Sequence, residues 1–450
     1  MHSETPALWP ARGHVELHDE LHARPALAVR TPGVVSYWTQ WGLAPAQADA
    51  ALAALCAASG QSGPAPDVRH HVVRGAGFAL KFERHGEFVS WQASRPIEQA
   101  AAAHDDAALD ALLHEARATD ALPAAFVRAL AGTTLLGATH VVLLRADAPH
   151  WFERCRSRLQ AGLVGDGADA QALLAARMAD DQAVVLTDLR LQADGFTRFV
   201  VLDAGLPPDQ AARAAQRLCE IEAYRMLAML GFPVAQRESA ALGEIERSLQ
   251  ATVDAMANDT AHDDAAALDT LTRLAVEVEH SAARTRYRFS ATRAYHRIVT
   301  QRLADLRETR IDGLQTLSSF FGRRFAPAMG LCESTDARLT DIAERIGRAV
   351  GLAQVRVEMQ REATNQELLK AFAHRQQMQL RLQQTVEGLS VVAISYYALG
   401  MVGYLAKAAK GIALPGGLEL QPDVAIGLAV LPVLLAVAWF VRRLRRHFVA

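Results

Sequence analysis

The spacing of apolar side chains changes character along the chain. In the first half, apolar positions come in short runs bounded by turn residues. VRHHVVR (68–74), GFALKFERH (77–85) and EFVSW (87–91) read as adjacent strands, the last two joined by a tight turn at Gly86. THVVLL (139–144), AVVLT (183–187) and FTRFVVLD (196–203) read as further strands, and helices fit 46–59, 108–130 and 208–231. This is the pattern of a mixed α/β head.

Beyond it the period lengthens. No proline falls between Pro233 and Pro327, or between Pro327 and Pro415, so two long tracts are open to uninterrupted helix. The first offers a helix over about 266–320. In the second, Leu339, Ile342, Ile346, Val350 and Val357 recur at helical steps. Two uncharged stretches close the chain, Gly388–Ala406 (GLSVVAISYYALGMVGYLA) and Val424–Val441 (VAIGLAVLPVLLAVAWFV). At 1.5 Å per residue each reaches about 27–29 Å, the thickness of a bilayer core.

The predicted fold class is therefore an α+β cytoplasmic head, a long helical stalk and two C-terminal transmembrane helices. The expected organisation is head 1–235, long-helix stalk 236–385, two-helix transmembrane hairpin 386–441 and basic cytoplasmic tail 442–450. A helix entering the membrane from near residue 330 is a stiff rod of roughly 90 Å. Exposed alone it needs coiled-coil partners, from this chain or from copies in a homo-oligomer. Within the first span Ser390, Ala393, Gly400 and Gly403 are small. They serve either packing between the chain's own two spans or a multi-subunit assembly with this span lining a pore.

Charge orients the hairpin. RRLRRH follows the second span, Lys370, Arg375 and Arg381 precede the first, and the connection KAAKGIALPGGLELQPD is formally neutral. Both termini are expected in the cytoplasm, with the short connection on the other side of the membrane. Residues 1–30 lack the apolar core of a signal peptide. A net charge of −2 argues against a general nucleic-acid binder. The four cysteines, Cys56, Cys155, Cys219 and Cys332, lie far apart and read as reduced thiols.

Two charge clusters and one histidine cluster carry candidate chemistry. Arg284, Arg286, Arg288, Arg293, Arg297, Arg302, Arg307 and Arg310, interleaved with Tyr287, Phe289 and Tyr295, read as ion-pair partners for neighbouring helices. Asp254, Asp259, Asp263, Asp264 and Asp269 read as a solvated turn with helix caps, or as a divalent-cation site. Near the start, HDELHARP places His18, Glu20, His22 and Arg24 together. His14, His18 and His22 share a face if helical, whereas His18, Glu20 and His22 share one if extended. Either geometry suits a divalent metal, with His70 and His71 as extra ligands. The plainer alternative pairs Glu20 with Arg24 and lets Pro25 and Pro32 end the element. No GxGxxG, P-loop or GxSxG motif occurs, so no catalytic set is predicted.

ELHARP (20–25), DGFTRFVVLD (194–203), QRLCEIEAYRMLAM (216–229), RFSATRAY (288–295), GLQTLSSF (313–320) and RLQQTVEGLSVVAISYYALGMVGYLAKA (381–408) resemble a bacterial family of membrane-anchored proteins, domain of unknown function 3422. The resemblance spans essentially the whole chain and implies no activity. In architecture the chain is also similar to CorA-type magnesium channels, which join a cytoplasmic α/β head and stalk helices to two C-terminal spans in a pentamer. Their Gly-Met-Asn signature is absent, because Val402 follows Gly400-Met401. The expected function is a membrane-anchored scaffold or sensor. The alternatives are a CorA-like divalent-cation channel and a membrane-tethered enzyme using His18–Arg24.

Overall fold

The computed structural model describes residues 27–146, 148, 150–162, 173–258, 263–408 and 422–448. The chain divides into two compact units, one of residues 1–262 and 269–350, the other of 263–268 and 351–450.

The first unit is built on a mixed sheet. Its strands are β1 (Gly33–Trp41), β2 (His70–Gly75), β3 (Phe78–Arg84), β4 (Phe88–Pro96), β5 (Leu135–Arg145), β6 (Leu174–Met178), β7 (Ala183–Thr187), β8 (Thr197–Asp203) and β9 (Thr309–Arg310). Their order is β2-β3-β4-β1-β5-β8-β7-β6-β9, with β5 and β8 parallel and the other neighbours antiparallel. Every strand expected from the sequence is present. The central strand β1 was not expected: GVVSYWTQW is buried on both faces and so shows no alternation.

One face of the sheet carries the main apolar core. Trp38, Phe82, Trp91 and Phe126 meet there, with ring centroids 4.7 Å apart for Phe82–Trp91 and 5.0 Å for Trp91–Phe126. Helix α1 (Pro45–Ala58) covers this face through Ala48, Ala51, Leu52 and Leu55. Each large side chain buried here contributes about 1.5–3 kcal/mol. The helix expected over 108–130 is instead broken into α2 (Asp106–Asp110), a π-turn at Ala111–Glu115 and α3 (Ala124–Ala129), which Pro123 caps. Between the pieces the chain is extended at Ala116, whose C=O accepts from Arg198, and then makes a 3-10 turn at Thr119–Ala121 after Ala118 N–H donates to Ser36. A further helix, α4 (His150–Gly162), precedes β6.

The opposite face is covered by α5 (Pro208–Met229), whose buried alanines allow close approach to β5. Gly137 sits at the tightest point: a Cβ there would lie 3.3 Å from Met226 Cβ and 3.4 Å from the Ala223 Cα. Helices α6 (Gly231–Asn258) and α7 (Asp264–Asp305) follow. The helix expected over 266–320 ends at Asp305. Arg307 takes a left-handed φ of 50°, β9 pairs with β6, and Glu308 then accepts the Leu317 and Ser318 N–H groups to cap α8 (Leu317–Arg324).

Helix α9 runs from Ala326 to Ala408. Within the first unit it buries Cys332, Thr335, Leu339, Ile342, Ile346 and Ala349, alternating steps of three and four. The seam passes through Ala349, leaving Val350 half-buried. The arginine cluster supplies helix–helix ion pairs in Arg284–Glu238 at 2.6 Å and Arg293–Asp336 at 2.8 Å, whereas Arg288 pairs at 2.7 Å with Glu87 in the turn between β3 and β4 instead of with a helix. In the acidic cluster, Asp263 accepts the Ala265 and Ala266 N–H groups, a cap for α7.

In the second unit α9 continues from Gly351 beside α10 (Pro422–Phe448). Among the described residues one helix, α9, is long and apolar enough to cross a membrane, and only 11% of its apolar window is buried. Helix α10 carries, among the described residues, the shorter apolar stretch Ile426–Val441. Burial along α9 follows Ser395 and Gly403, with Val391, Leu399, Val402 and Ala406 partly covered. Gly403 is where the two helices touch, since a Cβ there would meet Ile426 Cδ1 at 3.2 Å. Of the other small residues, Ala393 and Gly400 are exposed with open space at Gly400, and Ser390 donates to the Val386 carbonyl of its own helix.

Candidate functional site

HDELHARP, with His18, Glu20, His22 and Arg24, lies outside the described residues. His70 and His71 occupy the edge strand β2, where His70 pairs in register with Glu83 and His71 with Phe82. No group of three metal-ligating side chains occurs among the described residues.

The most polar interior feature of the head lies on the α5 face of the sheet. Register places Lys81, Gln92, Tyr37 and Thr139 side by side across β3, β4, β1 and β5. All four are buried, and because side chains alternate they share one face. Opposite them, Gln216, Glu220 and Tyr224 recur every four residues on α5 and so line one stripe. Arg302 closes the arrangement from α7. Tyr37, Glu83, His85, Gln92, Gln216, Glu220, Tyr224 and Arg302 together line a cavity of about 240 Å³.

Two internal ion pairs balance the charge here. Lys81 Nζ lies 3.2 Å from Glu83, and Arg302 Nε donates to Glu220, which also accepts the Gln216 amide at 2.7 Å. Burial opposes the Arg302 charge, but Glu220 and Asp305 hold the guanidinium above its ordinary pKa. Burial, and after it the neighbouring Tyr224, keep the Tyr37 phenol well above its ordinary pKa, so it stays a neutral hydroxyl. Gln92 is the exception to this satisfaction. It is 1% exposed, and among the described residues neither its amide nitrogen nor its amide oxygen has a partner. A buried amide in that condition costs about 1–3 kcal/mol.

A clamp adjoins the cavity. Glu87, in the β3–β4 turn, accepts Arg288 at 2.7 and 3.3 Å and the Tyr295 hydroxyl at 2.6 Å. Phe88 packs edge-on against Tyr224 and Tyr295. The sheet, α5 and α7 are thus joined around one polar pocket.

The other face of the sheet holds a serine–histidine–aspartate set. Ser36 Oγ lies 2.8 Å from His140 Nδ1, and His140 Nε2 lies 3.4 Å from Asp194. Ser36 also accepts the Ala118 N–H at 2.8 Å. With Nδ1 and the Ala118 N–H as its two partners, the hydroxyl is engaged inside the protein. Ser36 and His140 are 0% and 1% exposed, and the imidazole stacks on Phe196 at 4.1 Å. No substrate reaches this oxygen, and the set ties β1, β5 and β8 together. Burial first, then the Arg198 charge, hold His140 neutral with a pKa of about 3. The four cysteines are free and buried, and burial pushes Cys155 up to about 12 and Cys332 to about 11.

A family model described as "Protein of unknown function (DUF3422)" matches residues 10–448. The chain belongs to this family. The match covers both compact units of the DUF3422 chain, along with HDELHARP. No curated protein and no solved structure matches it, so the likeness to CorA-type channels has no support from a known fold.

Of the cavity residues only Arg302 was singled out in the sequence, as part of the arginine cluster and for ion pairing. Tyr37 lies on the unexpected strand, and Glu83 and Gln92 look like ordinary outward positions. The one local signal was the four-residue spacing of Gln216, Glu220 and Tyr224, inside a segment that matches the family.

Proposed function

We propose that the protein is a membrane-anchored sensor whose head binds a small polar ligand in the cavity between the sheet, α5 and α7. The observation that carries this reading is the buried Gln92 amide, unpartnered among the described residues beside a partly open cavity. A ligand that hydrogen-bonds both amide atoms removes the cost of leaving them unpaired. Lys81–Glu83 and Arg302–Glu220 neutralise each other, which favours an uncharged ligand bearing hydroxyl or amide groups. Such a ligand touches Tyr37 on β1 and Arg302 on α7 together, so occupancy would be felt by the long helices. The exposed apolar window of α9 supports anchoring in a lipid bilayer. A second span in α10, an inner-membrane location with both termini cytoplasmic, and a homo-oligomer complete the proposed arrangement.

The test is to purify the full chain in mild detergent, denature it, and identify released small molecules by mass spectrometry. The expected result is one polar compound, stoichiometric in the parent protein and lost from Gln92→Leu. Equal release from both proteins, or none from either, would overturn the reading.

A further inference from the structure

The sheet face opposite that cavity borders a second pocket of about 230 Å³, near β7 and β8. Leu159, Leu173, Leu186 and Val200 give it an apolar wall, and Arg198 and Asp188 also line it. Its volume matches that of roughly eight water molecules, the size of a single amino acid.

Arg198 is 5% exposed yet incompletely used. One terminal nitrogen donates to the Ala116 carbonyl at 2.9 Å, and the other reaches Asp194 only at 3.5 Å. Its Nε–H has no acceptor among the described residues. A guanidinium buried with an unfilled N–H is costly, and a planar carboxylate is the acceptor that fits its fork. Asp188 accepts the Arg190 N–H at 3.0 Å and the Gln192 amide at 3.3 Å. Both donors are neutral, so among the described residues its charge has no cationic partner in direct contact. Arg198 and Asp188 are close enough to influence each other electrostatically. His114, on the π-turn, also lines the pocket. Partial burial and then the Arg198 charge hold its imidazole below the ordinary value, leaving it neutral and no rival to Arg198.

One cation with an open N–H, one anion without a cation and an apolar wall match the three parts of an apolar α-amino acid. We propose that this pocket binds such an amino acid, its carboxylate on Arg198, its ammonium on Asp188, and its side chain against Leu159, Leu173, Leu186 and Val200. The site is separate from the Gln92 cavity, which lies on the other face of the sheet.

Calorimetric titration of the full chain in detergent with L-leucine tests this, using N-acetyl-L-leucine and isoamylamine as probes lacking the ammonium and the carboxylate. The expected result is saturable L-leucine binding, with each probe at least about tenfold weaker. Asp188→Asn should weaken L-leucine binding at least about tenfold while leaving the thermal transition in place, and Arg198→Lys should weaken it further. Gln92→Leu should leave L-leucine binding unchanged. No saturable heat with L-leucine, N-acetyl-L-leucine binding equally well, or an indifferent Asp188→Asn would each overturn the proposal.

Discussion

Replacing Glu87 with glutamine removes the charge on which α7 is clamped to the β3–β4 turn. The Glu87 and Arg288 side chains are 9% and 15% exposed, so solvent screens the pair little. The carboxylate accepts two bonds from Arg288 and one from Tyr295. Hydrogen bonds to charged groups contribute about 1.5–3 kcal/mol each, and breaking one side of a buried pair costs about 3–5 kcal/mol. Glutamine keeps the shape and one acceptor but turns an N–H toward Arg288, so Glu87→Gln should cost about 3 kcal/mol. Tyr295→Phe loses one hydroxyl bond to that carboxylate, about 1.5–3 kcal/mol. The two act through one carboxylate, so the double variant should lose at least about 0.5 kcal/mol less than the sum. Urea unfolding at neutral pH, followed by the fluorescence of buried Trp38 and Trp91, measures all three. A loss below about 1 kcal/mol for Glu87→Gln, or strict additivity, would refute the clamp.

Three further outcomes are expected. His140 has a folded pKa of about 3 against an ordinary 6.5, so its contribution is present above pH 6.5 and is lost as pH falls toward 3. The loss is on the order of 4 kcal/mol, and His140→Gln should flatten urea-unfolding stability between pH 6 and 4 relative to the parent. Gly403→Leu should destabilise the α9–α10 pair by about 1–3 kcal/mol in detergent melts, because its side chain enters the space of Ile426, whereas Gly400→Leu, in open space, should be neutral. In Gly231→Ala the new Cβ would lie 2.3 Å from Thr292 Oγ1, which donates to the Ala228 carbonyl, and a loss of about 2 kcal/mol is expected in the same unfolding assay.

Local pattern revealed most of the elements and little of the pocket. β2, β3, β4, β5, β7 and β8 announced themselves as short apolar runs bounded by turn residues. β1 did not, since its polar Ser36, Thr39 and Gln40 are buried against His140, Gly137 and Thr133 and disguise a central strand. The long helix at 108–130 was over-read because Pro123 and the demands of Ser36 and Arg198 on the intervening backbone act through tertiary contacts. The candidate cavity joins β1, β3, β4, α5 and α7, so neighbours in space are far apart in sequence. HDELHARP drew attention as a dense cluster, yet spacing alone conveys density and not the company a side chain keeps in the fold. In α9 the three-and-four repeat was legible, but one position of drift separated Val350 from the true seam at Ala349.

The central claim is a folded head held at a bilayer by the terminal helices, and an alkaline carbonate wash of isolated membranes tests it most directly. The full chain should remain in the membrane pellet, while a chain ending at residue 385 should be released and still unfold in one cooperative transition. Release of the full chain, or retention of the shortened one, would contradict the account.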